Sequence, residues 1–487
     1  MTVLKDILYK VSLVSTSGDM NRAIGGICFD SRESKQDYLF VAVKGTQVNG
    51  HEYIEAAVNA GAVAVVCETM PTKQIKDVTY ILADNSAEAL GTIAANFYGN
   101  PSAKMKLVAV TGTNGKTTSV TLLHQLFRRL GFNTGMLSTV ENKLNEEIIP
   151  ATHTTPDAIQ LNSLLKEMLD RGCTHCFMEA SSHAIHQRRT FGLKFAGAVF
   201  TNISHDHLDY HHTFHDYIKA KKMLFDELPK SAFALVNNDD KRGSVMLQNT
   251  SAKKYTYGLK NMSDFKARVL SNSMEGLELD LDGKQVWFKL IGNFNAYNLL
   301  ASFAVACLLG EDPEESLMQL SQVEAARGRF QVTKSQNGVT AIVDYAHTPD
   351  ALENVLKTIK EFRTGVEKVI TVVGAGGNRD RTKRPMMAAV SAKYSDLVIL
   401  TSDNPRDEEP MGIINDMEEG VPKSLTKKIM VNADRREAIK AACRMANAND
   451  IILVAGKGHE TYQEVAGVKH DFDDLKIVNE MLELFNE

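Results

Sequence analysis

Apolar residues along this chain fall into short, β-branched runs separated by stretches whose apolar positions lie three and four apart. That alternation predicts buried strands and amphipathic helices. Between Phe29 and about Pro101, residues 38–43, 63–67 and 80–82 read as strands and 53–59 and 87–98 as helices. They form a small α/β unit that ends at the Asn100-Pro101-Ser102 break. Residues 105–110 then predict a strand that runs directly into a glycine-bearing loop and a helix over 116–130, closed by Gly131. Strands at 176–179, 198–201 and 233–237 continue a buried parallel sheet, and 277–290 alternates about Asp282-Gly283 like a hairpin. A third unit begins near Val332, where apolar strands at 339–344, 369–373, 397–401 and 451–455 alternate with helical patterns, as in a doubly wound sheet.

Composition narrows the class. With 487 residues, 44% hydrophobic and 24% charged, the chain exceeds what one core supports, and three domains are expected, at 1–103, 104–331 and 332–487. A net charge of -5 supplies no basic field for phosphate backbones, so nucleic acid is not an expected partner. Six cysteines, scattered from Cys28 to Cys443, make no disulfide framework and suit a reducing cytoplasm. The pair Cys173 and Cys176 has no second CxxC and reads as buried strand-edge thiols. No uncharged apolar run approaches the roughly 18 residues of a membrane span, and no signal-type segment opens the chain, so membrane insertion is not expected.

The sharpest motif is Thr111-Gly112-Thr113-Asn114-Gly115-Lys116-Thr117-Thr118. It lies between a predicted strand and a predicted helix, where backbone N–H groups and the helix dipole bind phosphate. Lys116 would hold the terminal phosphates and Thr117 would ligate magnesium; Val110 stands where the common GxxxxGK[ST] pattern has its first glycine.

This loop resembles that of the Mur ligases and the related folylpolyglutamate synthetases, and the resemblance to the Mur ligases extends along nearly the whole chain. It implies three α/β domains: a UDP-binding first domain, a central P-loop-type parallel-sheet ATPase domain, and a C-terminal, amino-acid-binding, Rossmann-like domain. It also implies an ATP- and Mg2+-dependent amide-forming ligase of peptidoglycan synthesis, expected to act as a monomer. Two further segments, Met178 to His183 and Thr201 to His211, each follow a predicted strand, and by family match Glu179 and His207 are metal-ligand candidates. The histidines at 205, 207, 211, 212 and 215 leave a zinc site as an alternative on spacing alone. Tyr217 to Phe225 resembles the segment whose lysine is carbamylated by CO2, and register on the tyrosine selects Lys221; charge pattern alone would read these lysines as a solvated helix face. By the same resemblance Asn295 faces adenine, Arg329 lies near the transferred phosphate, and Asp344 and His347 close over the nucleotide from the last domain.

Substrate residues are implied in the same way. Asp30-Ser31-Arg32 resembles a UDP-binding loop, with Ser31 as the contact. His153-Thr154-Thr155-Pro156, together with Ser181, Gln187 and Arg189, would grip a UDP-N-acetylmuramoyl-L-alanyl-D-glutamate substrate; the simpler alternatives are a helix cap before Asp157 and a surface arginine. The string Asp403-Asn404-Pro405-Arg406 accompanies use of meso-2,6-diaminopimelate in this family, and a planar guanidinium suits the second carboxylate that lysine lacks. Arg379, Gly456 and Glu460 would complete that pocket, Glu460 meeting the distal ammonium. A lysine-adding ligase on the same scaffold and a P-loop ATPase without ligase activity are the alternative readings.

Overall fold

The computed structural model describes residues 2–45, 48–149 and 154–485. Three sheets follow one another along the chain. The first has five strands, in the order Leu13–Ser17, Thr79–Ala83, Ala62–Cys67, Tyr38–Val41 and Gly26–Cys28, parallel except for Leu13–Ser17 at one edge. The second has eleven strands. In its middle, Thr134–Leu137, His175–Glu179, Lys106–Thr111, Gly197–Phe200, Phe233–Asn237 and Lys253–Gly258 lie side by side in parallel, with antiparallel hairpins at both ends. The third has six strands, in which Thr340–Asp344, Ile451–Ala455, Val369–Ala375 and Leu397–Ser402 form the parallel centre.

Burial explains why these segments pair. Val108, Val110, Phe177 and Val199 are buried on one face of the central sheet against Val120, Leu123 and Phe127 of the helix Lys116–Arg129. Leu107, Ala109, Met178 and Phe200 are buried on the other, against Leu161 and Leu165 of the helix Ala158–Asp170. Strands covered on both faces need the continuous apolar runs seen in the sequence. The predicted hairpin at 277–290 forms between Gly276–Leu281 and Lys284–Phe288.

Parallel order fixes where chemistry can sit. Lys106–Thr111 lies between His175–Glu179 and Gly197–Phe200, so the segments beginning at Gly112, Ala180 and Thr201 leave the sheet together. In the third sheet the segments starting at Tyr345, Gly456, Gly376 and Asp403 leave in the same way. These are the carboxyl ends at which α/β sheets bind ligands.

Candidate active site

The phosphate loop is built by close approach. A Cβ on Gly112 would lie 1.9 Å from Thr201 Oγ1, and one on Gly115, at φ +86°, would lie 2.6 Å from Asn298 Oδ1. Only glycine fits either position. Asn202 holds the loop, its carbonyl accepting from Thr113 N–H at 2.8 Å and its side-chain oxygen from Asn114 N–H at 2.9 Å. Thr111 and Thr118 are buried on either side of the loop. Lys116 Nζ donates to the carbonyls of Gly112 and Thr113 at 2.9 and 2.8 Å. Its pKa is lowered by burial, opposed by the charges of Glu179 and Asp206.

Thr117 and Glu179 meet beside the loop. Thr117 Oγ1 donates to Glu179 Oε1 at 2.9 Å and accepts from Arg329 Nη2 at 3.0 Å. The Glu179 carboxylate also accepts from Thr139 N–H at 2.8 Å and Thr139 Oγ1 at 3.1 Å. Arg329 is stacked on Tyr345, 4.3 Å from the ring centroid, so a residue of the linker, residues 321–330 between the helix Pro313–Leu320 and the strand Gln331–Lys334, and one of the last domain share this contact.

Lys221 is 1% exposed and donates to the Gly112 carbonyl at 2.8 Å. Burial, reinforced by the Lys116 charge, lowers its pKa well below the ordinary lysine value. That amine therefore carries its lone pair at pH values where a surface lysine is protonated. His207 has φ +56° and lies 3.4 Å from Asp206, with burial pushing its pKa down to about 3. Burial alone would raise Asp206, but His207, Lys383 and His347 together hold it below the ordinary carboxylate range.

The last domain is docked on this edge. Asp350 accepts from Asn114 Nδ2 at 2.9 Å, His205 meets Asp380 at 3.2 Å, and Lys383 lies 3.8 Å from Asp206. His347 donates Nδ1–H to the Tyr345 carbonyl at 2.9 Å, leaving Nε2 as an acceptor; burial lowers its pKa to about 4. Asp344 is turned toward the linker, accepting from Phe330 N–H at 2.6 Å and Ala346 N–H at 2.8 Å. Asn295 is 3% exposed, donates to the Ile291 carbonyl at 2.8 Å, and accepts from Asn298, the residue packed against Gly115.

Between the second and third sheets lies a cavity of about 230 Å³, with Thr154 and His207 on one side and His347, Arg379, Arg406 and Glu460 on the other. Lys457 is fully buried beside it, donating to Asn404 Oδ1 at 2.9 Å and Glu460 Oε2 at 3.0 Å. Burial and the neighbouring Asp403 carboxylate raise the pKa of Glu460. Gly456 has φ +120°, and a Cβ there would lie 2.5 Å from Asp403 Oδ2. The Pro405 carbonyl packs on Gly377, where a Cβ would lie 1.9 Å away.

Thr155, Ser181, Gln187 and Arg189 form a linked group. Thr155 Oγ1 donates to the Glu179 carbonyl at 2.8 Å and accepts from Ser181 N–H at 3.2 Å; Arg189 donates to the Thr155 carbonyl at 2.9 Å and to Gln187 Oε1. The cap of the following helix is Asp157 itself, which frees Thr155 from that task. His153 lies outside the described residues. Ser31 stands apart, in a short turn after Gly26–Cys28 capped by Asp30.

Residues 23–98 match the family description "Mur ligase family, catalytic domain", residues 110–306 "Mur ligase middle domain", and residues 328–458 "Mur ligase, glutamate ligase domain". A UDP-N-acetylmuramoyl-L-alanyl-D-glutamate–2,6-diaminopimelate ligase of Cytophaga hutchinsonii is 60% identical over 481 residues, 99% of each chain. This chain belongs to the Mur ligase family. A protein of the same name from Phocaeicola vulgatus is 54% identical over 478 residues, 98% of this chain and 99% of that one. A solved structure of a UDP-N-acetylmuramoyl-L-alanyl-D-glutamate–2,6-diaminopimelate ligase matches with a TM-score of 0.70 at 33% identity, covering 100% of this chain and 99% of that one. Several polar groups of this Mur ligase site escape a motif reading. Lys457, between Gly456 and Glu460, draws attention only once it is seen to be buried, and Thr139, Asp350 and Lys383 have partners distant in sequence.

Proposed function

We propose that this chain is the ATP-dependent ligase that joins meso-2,6-diaminopimelate to the D-glutamate of UDP-N-acetylmuramoyl-L-alanyl-D-glutamate in peptidoglycan synthesis. The observation that carries this reading is the cavity beside the phosphate-loop edge, whose wall brings Arg379, Arg406 and Lys383 together with Asp403 and Glu460. An amino acid with two carboxylates and two ammonium groups finds both signs of partner there. Relatives of that name at 60% and 54% identity support the same substrate.

A carboxylate is a poor electrophile. The γ-phosphate of ATP passes to the D-glutamate side-chain carboxylate, giving an acyl phosphate and ADP. The amine then attacks the acyl carbon, the carbon–oxygen bond to phosphate breaks, and phosphate leaves as the amine gives up its proton. Lys116 and Arg329 face the charge that develops on the transferred group. Thr117 and Glu179 supply the hard oxygen donors magnesium prefers, and His207, which feels the charges of Lys116 and Lys221, would join them. Such ligands suit an ion that completes its shell with phosphate and water. Bound magnesium would offset phosphate charge. Lys221 fits carbamylation because burial lowers its pKa and so favours the neutral amine, the form that reacts with CO2, and the resulting anion would add oxygen donors.

Thr154, Thr155, Ser181, Gln187 and Arg189 bind the muramoyl dipeptide, and Ser31 the uridine diphosphate. Asn295 borders the adenine, while Asp344 fixes the linker that carries Arg329. Free cysteines and a need for ATP favour the cytoplasm, and among the described residues no helix is long and apolar enough to cross a membrane. A division at residues 103/104 lies between the first and second sheets, whereas one at 331/332 would cut the strand Gln331–Lys334, which pairs with Thr340–Asp344 in the third sheet, so the boundary belongs just before Gln331. The test is oxygen transfer: with 18O in the D-glutamate side-chain carboxylate, one label leaves in the released phosphate. Unlabelled phosphate would mean that water, not the substrate, attacks ATP.

A further inference from the structure

The hairpin Tyr462–Val465 and Val468–Asp471 lies at the end of the third domain, outside its main sheet. It makes no contact that the reaction as described requires. Its first strand nevertheless bonds to three of the four residues of the Asp403–Arg406 segment. Gln463 Nε2 donates to the Asp403 carbonyl at 2.7 Å, and Glu464 N–H donates to Asn404 Oδ1 at 2.9 Å. Arg406 N–H donates to the Glu464 carbonyl at 3.1 Å, and Ala466 N–H donates to the Arg406 carbonyl at 2.7 Å.

Two non-glycine residues in this contact have left-handed backbones, Arg406 at φ +51° and Ala466 at φ +48°. Such residues persist only where their surroundings over-determine them, and they gather at ligand clamps. Here the reciprocal backbone bonds between Arg406 and the hairpin hold both. The Arg406 guanidinium is fixed from two sides, donating Nη1–H to the Gly377 carbonyl at 2.8 Å and placing Nε 3.4 Å from the Glu464 carboxylate. A guanidinium has five N–H groups, so this leaves the rest of the fork for a ligand in the cavity that Arg406 lines.

We propose that this hairpin is the brace that makes Arg406 selective, and that Glu464 is the positioning residue that aims its guanidinium at the distal carboxylate of the amino acid. The inference rests on the amino-acid pocket assigned above. An arginine held only through its flexible stem would lose rotamer entropy on meeting a carboxylate; one already held at Nε and Nη1 has lost it beforehand. Glu464 also offsets part of the guanidinium charge, so that a single carboxylate elsewhere on a ligand gains less from approaching Arg406.

The experiment is a double-mutant cycle on the full-length enzyme, reading kcat and KM for meso-diaminopimelate in the wild type, Glu464→Gln, Arg406→Ala and the double variant. In the wild-type background Glu464→Gln raises KM about fivefold, the upper range for a partly exposed ion pair, and leaves kcat within twofold. In the Arg406→Ala background the same substitution changes neither by more than twofold. Thermal unfolding of each variant checks that the fold is intact. Equal losses in both backgrounds, or no loss in either, would overturn the proposal. A wild-type enzyme that shows no turnover with meso-diaminopimelate would instead overturn the functional reading on which it rests.

Discussion

Lys221→Ala lowers kcat about a thousandfold, the scale on which removing one preorganised electrostatic group from an active site acts. The substitution deletes a side chain that is 1% exposed and bonded to the Gly112 carbonyl at the start of the phosphate loop. Loss of the amine also removes the attachment point for CO2. The two effects separate in the wild type: in buffer freed of CO2 its phosphate release falls, and bicarbonate restores it, whereas the Lys221→Ala enzyme gains nothing from bicarbonate. The pKa of Lys221 is lowered by burial, so the neutral amine, and with it the capacity for carbamylation, persists to lower pH than for an exposed lysine. Activity that depends on the carbamate should therefore extend to lower pH than an exposed lysine would allow. Wild-type turnover indifferent to CO2, together with an active Lys221→Ala variant, would exclude this role.

Arg406→Ala lowers kcat/KM for meso-diaminopimelate about a hundredfold, as expected for losing a two-point, charge-assisted contact. KM for ATP stays within twofold, because Arg406 lines the amino-acid cavity and its guanidinium is held by Gly377 and Glu464, away from the phosphate loop's own partners. Arg406→Lys recovers little of the loss. An ammonium cannot donate simultaneously to the Gly377 carbonyl, the Glu464 carboxylate and a ligand in the planar geometry of the native fork. Steady-state kinetics with each substrate varied in turn distinguishes this outcome from a general loss of folding, which would lower kcat for all substrates alike.

The parts of this protein that sequence made legible are those written contiguously. Residues 111–118 pack a turn, a phosphate-binding helix start and a lysine into one string, and the strand before them is apolar from Leu107 to Val110 because both of its faces are covered there. Strands of other kinds were hidden. Thr134–Leu137 is fully buried, yet contains Gly135, where a Cβ would lie 2.3 Å from Met168 Sδ; tight helix packing, not strand propensity, chose that residue. Leu13–Ser17 is exposed along its whole length and pairs only at the sheet edge, so no alternation marks it. The same distinction holds in the site. Strings such as Asp403 to Arg406 could be read as a pocket, but the contacts of Asp206 with Lys383 and of Asn114 with Asp350 depend on how two domains dock, which no local pattern encodes. Asp344 illustrates the difference: its place at a strand end was legible, whereas its two backbone bonds, which turn it toward the linker, were not.

The most direct test is phosphate release with UDP-N-acetylmuramoyl-L-alanyl-D-glutamate, ATP and magnesium, comparing meso-diaminopimelate, L-lysine and no amino acid, with the product identified by mass. Strong release and a tripeptide product with meso-diaminopimelate alone is the predicted result. Preference for L-lysine, or release that needs no amino acid, would contradict it.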